Sequence, residues 1–154
     1  METLHRPGTL AVTAQFAACM VICTPARFVG ATSVPDALAP VATALLVAGV
    51  ALAIWTISHN RPGNFGVHPE VKSGTHLVTT GPYRWIRHPM YLTLLLCMAG
   101  VALLNPHTPG HWALGILGLV LLAKIRIEER FLVVRFPEYG AYASHTKRLI
   151  PFLF

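Results

Sequence analysis

One polar segment of this 154-residue chain places cations, a histidine and aromatic side chains directly before a long uncharged run. The segment reads Gly81-Pro82-Tyr83-Arg84-Trp85-Ile86-Arg87-His88-Pro89-Met90-Tyr91. About forty residues later, Glu128 and Glu129 follow the next apolar run. If the intervening chain crosses a membrane and returns, both polar clusters lie at the same membrane face. The two clusters are therefore predicted to form one site.

The residue types in these clusters suit a charged small ligand. Carboxylates close to apolar membrane depth are costly and usually have a partner or a function. Lys124 and Glu128 are four residues apart, so a local ion pair on one helix face is the simplest interpretation. Alternatively, the carboxylate receives an ammonium or hydroxyl group of a ligand, and a nearby cation receives the ligand's carboxylate. A ligand that carries ammonium, carboxylate, ribose hydroxyls and adenine would fit both clusters.

The composition is that of a membrane protein. Hydrophobic residues make up 54% of the chain, charged residues only 12%, and the mean hydropathy is +0.56. The net charge of +6 resides beside apolar segments rather than along a soluble face, so we expect no nucleic-acid partner. Cys19, Cys23 and Cys97 all lie in apolar segments without paired spacing, so neither a disulfide framework nor a metal site is predicted.

The chain contains four apolar runs, each compatible with a membrane span, and the last two lie between the polar clusters. The predicted fold is an all-α integral-membrane bundle in one domain, 1–154, with a helical C-terminal tail. Asn105-Pro106-His107-Thr108-Pro109-Gly110 breaks the last apolar stretch, which predicts a helical hairpin. Lys124 and Arg126 are expected to snorkel from the end of the hairpin. The predicted spans cover about 8–26, 37–59, 89–104 and 111–127.

The distribution of cations predicts the orientation of these spans. With a cytoplasmic amino terminus, 11 of the 12 Lys and Arg residues lie on the inner side, and only Arg27 lies outside. We therefore expect a multi-pass protein of the inner, or cytoplasmic, membrane. Both termini and the loop from His59 to His88 are predicted to be cytoplasmic.

At these polar clusters the chain resembles the integral-membrane methyltransferases that include isoprenylcysteine carboxyl methyltransferases and, more distantly, phospholipid N-methyltransferases. The resemblance runs from about His76 to Pro151, and several motifs occur in order at suitable spacing. They are Leu77-Val78-Thr79-Thr80-Gly81-Pro82-Tyr83, Arg87-His88-Pro89-Met90-Tyr91, Glu128-Glu129-Arg130-Phe131-Leu132, Phe136-Pro137-Glu138-Tyr139-Gly140-Ala141-Tyr142 and Arg148-Leu149-Ile150-Pro151.

This resemblance implies a methyltransferase that uses S-adenosylmethionine, bound by the half of the chain at about 76–151. The matched cofactor-binding residues are His76, Leu77, Val78, Tyr83, His88, Pro89, Met90, Tyr91 and Glu128. Lys124 stands where the isoprenylcysteine enzymes have an arginine of the acceptor site, with Arg126 nearby. Because lysine offers a point charge rather than a planar fork, carboxylate recognition is looser or the acceptor differs. Glu129 or Tyr91 is the candidate proton acceptor for an amine substrate.

The expected methyl acceptor is a lipophilic or membrane-partitioned molecule, whose reacting group is open among carboxylate, amine, thiol and phenol. Two other functions are compatible with the sequence. One is a membrane reductase of the sterol-reductase type that uses NAD(P)H, although the chain has no dinucleotide glycine fingerprint. The other is a non-enzymatic membrane protein whose basic loops bind anionic lipid.

Overall fold

The computed structural model describes residues 2–28, 34, 36–60 and 76–153. These residues form five α-helices and no β-strand, which confirms the predicted all-α class. Arg61 and Lys72, which were counted for the orientation, lie outside the described residues. The helices are α1 Glu2–Cys23, α2 Leu38–His59, α3 Pro89–Leu104, α4 Thr108–Arg135 and α5 Tyr139–His145.

The predicted hairpin is formed by α3 and α4, and local sequence defines its ends. Pro89 occupies the first turn of α3, where its missing N–H costs no hydrogen bond. At the start of α4, His107 caps the helix by accepting a hydrogen bond at Nδ1 from the Gly110 N–H, 2.9 Å away. Between the two helices, the Asn105 amide donates to the carbonyls of Ile22 and Thr24, at 3.0 and 2.7 Å. The hairpin turn therefore also holds the end of α1.

The bundle consists of two helix pairs. α2 packs mainly on α3, and α1 packs mainly on α4, while α3 also contacts α4 and α1. Small and branched side chains meet between α1, α3 and α4; the buried ones are Ala18, Ile22, Ala102, Ala113, Leu117 and Leu121. Large apolar side chains also cover the outside of the helices: Leu10 and Leu119, for example, are each 69% exposed. This outer surface matches lipid rather than water.

Two of the helices, Leu38–His59 and Thr108–Arg135, are long and apolar enough to cross a membrane. The apolar segments Gly8–Cys23 and Pro89–Leu104 are shorter. Four spans and their orientation stay predictions.

The predicted snorkelling of Lys124 is wrong. Lys124 is 1% exposed and turns into the bundle, where its ammonium meets the side chain of Gln15 on α1. A polar partner inside the bundle removes the need for the ammonium to reach water. Arg126, two residues further along α4, is exposed as expected.

The close contact between α2 and α3 generates a first prediction. A Cβ at Gly100 would lie 2.7 Å from Leu46 Cγ and 2.9 Å from the Ala42 carbonyl oxygen, whereas a Cβ at Gly115 would meet nothing within 4 Å. We expect Gly100→Ala to lower the free energy of unfolding by roughly 1–3 kcal/mol through overpacking. The matched change Gly115→Ala should be neutral or stabilising by up to about 1 kcal/mol. Thermal unfolding in detergent measures both; equal effects would contradict the close packing.

Candidate functional site

The segment before α3 begins with a tight turn against the end of α2. Gly81 has φ +59°, and a Cβ there would lie 2.4 Å from Cγ of the His59 ring, so this position requires glycine. A short 3₁₀ turn follows over Gly81–Arg84. The Tyr83 hydroxyl accepts a hydrogen bond from the Asn60 side-chain amide, 3.2 Å away. Because Asn60 ends α2, this contact fixes the segment to that helix.

The C-terminal tail runs alongside the same segment. Ile86 and Lys147 form an isolated parallel bridge. The Arg87 N–H donates to the Lys147 carbonyl at 2.8 Å, and the His88 N–H donates to the Arg148 carbonyl at 3.0 Å. In return, the Lys147 N–H donates to the Trp85 carbonyl at 2.9 Å. The tail therefore pairs with the four residues that immediately precede α3.

Glu129 joins these two paired segments to α4. Its Oε1 accepts from Arg87 Nε at 2.8 Å, and its Oε2 accepts from Arg148 Nε at 3.0 Å. The Arg87 guanidinium also donates through Nη1 to the carbonyls of Ala143, at 3.0 Å, and Thr146. Both carboxylate oxygens of Glu129 are thus occupied by arginines from two other segments. The Arg87 and Glu129 side chains are only 9% and 14% exposed, which strengthens the pairing.

The adjacent carboxylate, Glu128, faces a different set of partners. Successive helical residues point about 100° apart, so two neighbouring glutamates face largely different surroundings. Oε1 of Glu128 accepts a hydrogen bond from the Tyr91 hydroxyl, and Oε2 lies 3.3 Å from His88 Nδ1. The rings of His88 and Tyr91 are stacked with centroids 5.7 Å apart. Glu128 is therefore oriented by two aromatic residues from the start of α3.

His88 lies between the two carboxylates. While Nδ1 faces Glu128, Nε2 lies 3.5 Å from Glu129 Oε1 and is not aligned for a hydrogen bond with any group among the described residues. Burial lowers the pKa of His88, but contacts with Glu128 and Glu129 outweigh that effect and raise the pKa above its ordinary value. The geometry thus favours an imidazolium that donates toward both carboxylates.

Tyrosines border this cluster and remain neutral phenols. Burial, assisted by the charge of Glu128, raises the pKa of Tyr83 to about 12. Burial likewise raises the pKa of Tyr142, whose hydroxyl donates to the Tyr83 carbonyl at 2.8 Å. These phenols act as hydrogen-bonding groups around the charged centre.

The remaining residues predicted from the sequence lie at different distances from this centre. The Lys124 ammonium sits 5.2 Å from the centroid of the Tyr91 ring, so it borders the Glu128 side of the cluster. Arg126 is exposed, and none of its described contacts reaches the cluster. Pro89 is buried and Met90 half-buried at the start of α3. His76, Leu77 and Val78 lie in an irregular segment before the 3₁₀ turn, with His76 exposed.

Several residues of the cluster were not assigned to a site from the sequence. Arg87 and Arg148 occur in the quoted motifs, but only the fold brings both to Glu129. Gln15 is the one Gln in the uncharged run from Gly8 to Ala26, and an isolated amide in such a run is a signal that could have identified it. Thr146 contributes mainly its backbone carbonyl, which no sequence pattern reveals.

Comparison with known proteins adds independent information on this arrangement. The chain is 29% identical to the cobalt-zinc-cadmium resistance protein CzcN of Cupriavidus metallidurans. The alignment is 154 positions long and covers 97% of the chain and 65% of that protein. It is 34% identical to the nickel-cobalt-cadmium resistance protein NccN of Alcaligenes xylosoxydans xylosoxydans over 81 residues, 52% of the chain and 38% of that protein. The chain thus spans less than two-thirds of the length of either relative.

A sequence model of the phospholipid methyltransferase family matches residues 38–138, from the start of α2 to the residue before α5. The matched region includes the segment before α3, the hairpin and both glutamates, which are the parts that build the charged centre. The chain therefore belongs to the phospholipid methyltransferase family.

Proposed function

We propose that this membrane protein transfers a methyl group from S-adenosylmethionine to a lipophilic or membrane-partitioned acceptor. Membership in the phospholipid methyltransferase family supports the reaction class. The observation that carries the proposal is the orientation of Glu128: Tyr91 and His88 hold its carboxylate, while Glu129 beside it is occupied by arginines. Glu128 is 19% exposed, so it remains accessible to a ligand.

The chemistry of the residues around Glu128 fits the proposed methyl donor. The Glu128 carboxylate can accept a hydrogen bond from a ligand ammonium or ribose hydroxyl while the Tyr91 hydroxyl and the His88 imidazolium hold it in place. His88, buried between Glu128 and Glu129, orients the carboxylate of Glu128 from the side of the structural glutamate. The other donor-binding residues in this proposal are His76, Leu77, Val78, Tyr83, Pro89 and Met90.

S-adenosylmethionine, when bound, supplies a methyl carbon that is activated by the adjoining sulfonium. The contribution of the protein is to orient the acceptor and exclude water, and good orientation recovers roughly 7–11 kcal/mol of such a barrier. A carboxylate or thiolate acceptor needs no strong base. Lys124, buried in the bundle beside the Tyr91 ring, is the proposed group that attracts an anionic acceptor. Arg126 retains only a peripheral role in this proposal.

Glu129 has a different role in this proposal from the proton acceptor expected from the sequence. Its two oxygens are held by Arg87 and Arg148, which stabilises the ionised form and opposes protonation. We therefore assign Glu129 a structural role. Tyr91 is then the candidate group for taking the proton from an amine acceptor.

The proposed topology has four spans and cytoplasmic termini in a single domain. The exposed apolar surfaces of the helices support insertion of the whole bundle, and the asymmetric cations support this orientation. The charged centre then lies at the cytoplasmic face, where a water-soluble methyl donor arrives from the cytosol and the acceptor arrives through the bilayer.

Metal resistance is the proposed physiological setting, because both relatives carry that function in their names. The described residues contain no group of three or more His, Cys, Asp or Glu side chains placed to hold a metal ion. The proposed contribution is therefore methylation of a membrane component.

Replacing each glutamate by glutamine separates a role in donor binding from a role in stability. We expect Glu128→Gln to weaken S-adenosylhomocysteine binding at least about tenfold, because a hydrogen bond to a charged group contributes roughly 1.5–3 kcal/mol. Glu129→Gln should instead lower the free energy of unfolding by about 3 kcal/mol, because it leaves the buried Arg87 without its carboxylate. Calorimetry and thermal unfolding in detergent measure the two effects.

The exposed Glu138 provides the control, since Glu138→Gln should change neither property. If Glu128→Gln bound S-adenosylhomocysteine as tightly as the wild type, the assignment of the donor site would be refuted. Failure of the folded wild-type protein to bind either S-adenosylmethionine or S-adenosylhomocysteine would refute the proposed function itself.

The raised pKa of His88 predicts a pH dependence of stability. The folded protein binds the His88 proton more tightly than the unfolded chain, whose pKa is near the ordinary 6.5. This contribution to stability is complete below pH 6.5 and is lost as the pH rises through the higher folded pKa. The difference in melting temperature between wild type and His88→Gln should therefore shrink from acidic to alkaline pH. A constant difference would contradict the imidazolium assignment.

Growth tests the physiological setting. In the native host, a strain that lacks this chain should grow less well in cobalt, zinc or cadmium, and wild-type protein should restore growth. The Glu128→Gln variant, expressed at the same level, should not restore it, because the resistance depends on methyl transfer. Full restoration by this variant would separate metal resistance from the proposed site.

A further inference from the structure

A lysine buried in the apolar bundle is the most unusual feature beside the charged centre. Lys124 lies on α4 one helical turn before Glu128, and the residue is 1% exposed. One partner of its ammonium is Gln15 on α1, whose Oε1 accepts a hydrogen bond at 2.7 Å. The same ammonium lies 5.2 Å from the centroid of the Tyr91 ring. Lys124 thus connects the first helix of the chain to an aromatic residue of the site.

The contact with Tyr91 links this lysine to Glu128. An ammonium over a tyrosine ring is attracted by its negative face, and the attraction strengthens where water is excluded. The hydroxyl of the same tyrosine donates to Glu128 Oε1. A positive charge held beside the ring therefore favours a polarised hydroxyl and, through it, the orientation of the carboxylate.

The position of the Lys124 ammonium depends on a hydrogen-bond acceptor that holds the end of this side chain. Lysine has a flexible four-carbon stem and three rotatable donors, so its own chain does not fix the ammonium. Gln15 supplies a neutral acceptor at the depth of Tyr91 on a separate helix. Leucine at this position would remove that acceptor and weaken the restraint on the ammonium.

We propose that Gln15 is a positioning residue of the site, which holds the Lys124 ammonium against Tyr91 and thereby supports the orientation of Glu128. This inference rests on the proposed function, because Glu128 is taken as the donor-binding carboxylate. It makes α1 a contributor to the site, although residues 38–138, which match the family, do not include that helix.

A purely structural role for Gln15 has a different signature. α1 and α4 already pack through an apolar contact in which Ala18 and Ile22 meet side chains that include Leu117 and Leu121. The hydrogen bond from Lys124 is therefore not needed to bring the two helices together. Loss of Gln15 should alter the environment of Lys124 and the binding of the donor while the fold persists.

Competitive acetylation in detergent, read by mass spectrometry, tests the link between Gln15 and Lys124. The reaction of Lys124 is compared with that of the exposed Lys147 in the same sample. We expect Lys124 to react at least tenfold faster in Gln15→Leu than in wild type, and Gln15→Glu to retain the protection. Thr13→Ala, an exposed change on the same helix, is the control and should leave the rate unchanged. An unchanged Lys124 rate in Gln15→Leu would overturn the proposal.

Calorimetric binding of S-adenosylhomocysteine to the same variants tests the consequence for the site. Gln15→Leu should bind about tenfold more weakly than wild type, and Gln15→Glu should recover most of the affinity. Equal affinities of wild type and Gln15→Leu, together with faster acetylation of Lys124, would overturn the positioning role alone. Absence of binding by the folded wild type would overturn the proposed function, a result distinct from any change at Lys124.

Discussion

The pairing of Glu129 with Arg87 and Arg148 is the interaction on which the site depends. It joins three segments that are distant in the chain: α4, the approach to α3 and the C-terminal tail. A carboxylate held between two guanidinium groups in a largely buried setting has directional hydrogen bonds as well as charge attraction. Because Arg87 immediately precedes His88, the same pairing determines where the imidazole lies. Backbone hydrogen bonds already pair the tail with residues 85–88, and Glu129 attaches both of these segments to α4.

The two adjacent glutamates illustrate how one helix turn supports two roles. Glu129 pairs with the arginines and joins three segments, whereas Glu128 faces Tyr91 and His88 and stays partly exposed. His88 touches both and thereby couples the structural side to the proposed binding side. In an apolar bundle, charges are stable only when they are paired in this way, so the polar groups gather at one end of α3 and α4.

The contacts also extend the site beyond the part of the chain that matches the family. The matched residues 38–138 exclude both α1 and most of the tail. Arg148 nevertheless holds Glu129, and Gln15 holds Lys124. The charged centre is therefore completed by segments on both sides of the matched region.

Composition and the order of motifs determined much about this protein without a structure. The apolar runs predicted the all-α class, the breakers from Asn105 to Gly110 predicted the hairpin turn, and the ordered motifs from Leu77 to Pro151 identified the family. These features depend on local periodicity, on backbone restrictions of proline and glycine, and on residues that are close in the chain. The same information placed His88, Tyr91 and Glu128 in one predicted site.

Only the tertiary structure decided how the polar side chains divide among partners. The sequence offered Glu129 as a proton acceptor and Lys124 as a snorkelling cation, since both stand beside charged neighbours on one helix. In the fold, arginines from two other segments occupy Glu129, and an amide from α1 draws Lys124 into the bundle. A long charged side chain is either solvated by water or paired with a group that is distant in the chain. Which of the two occurs depends on which helices pack together, and local sequence does not encode that packing.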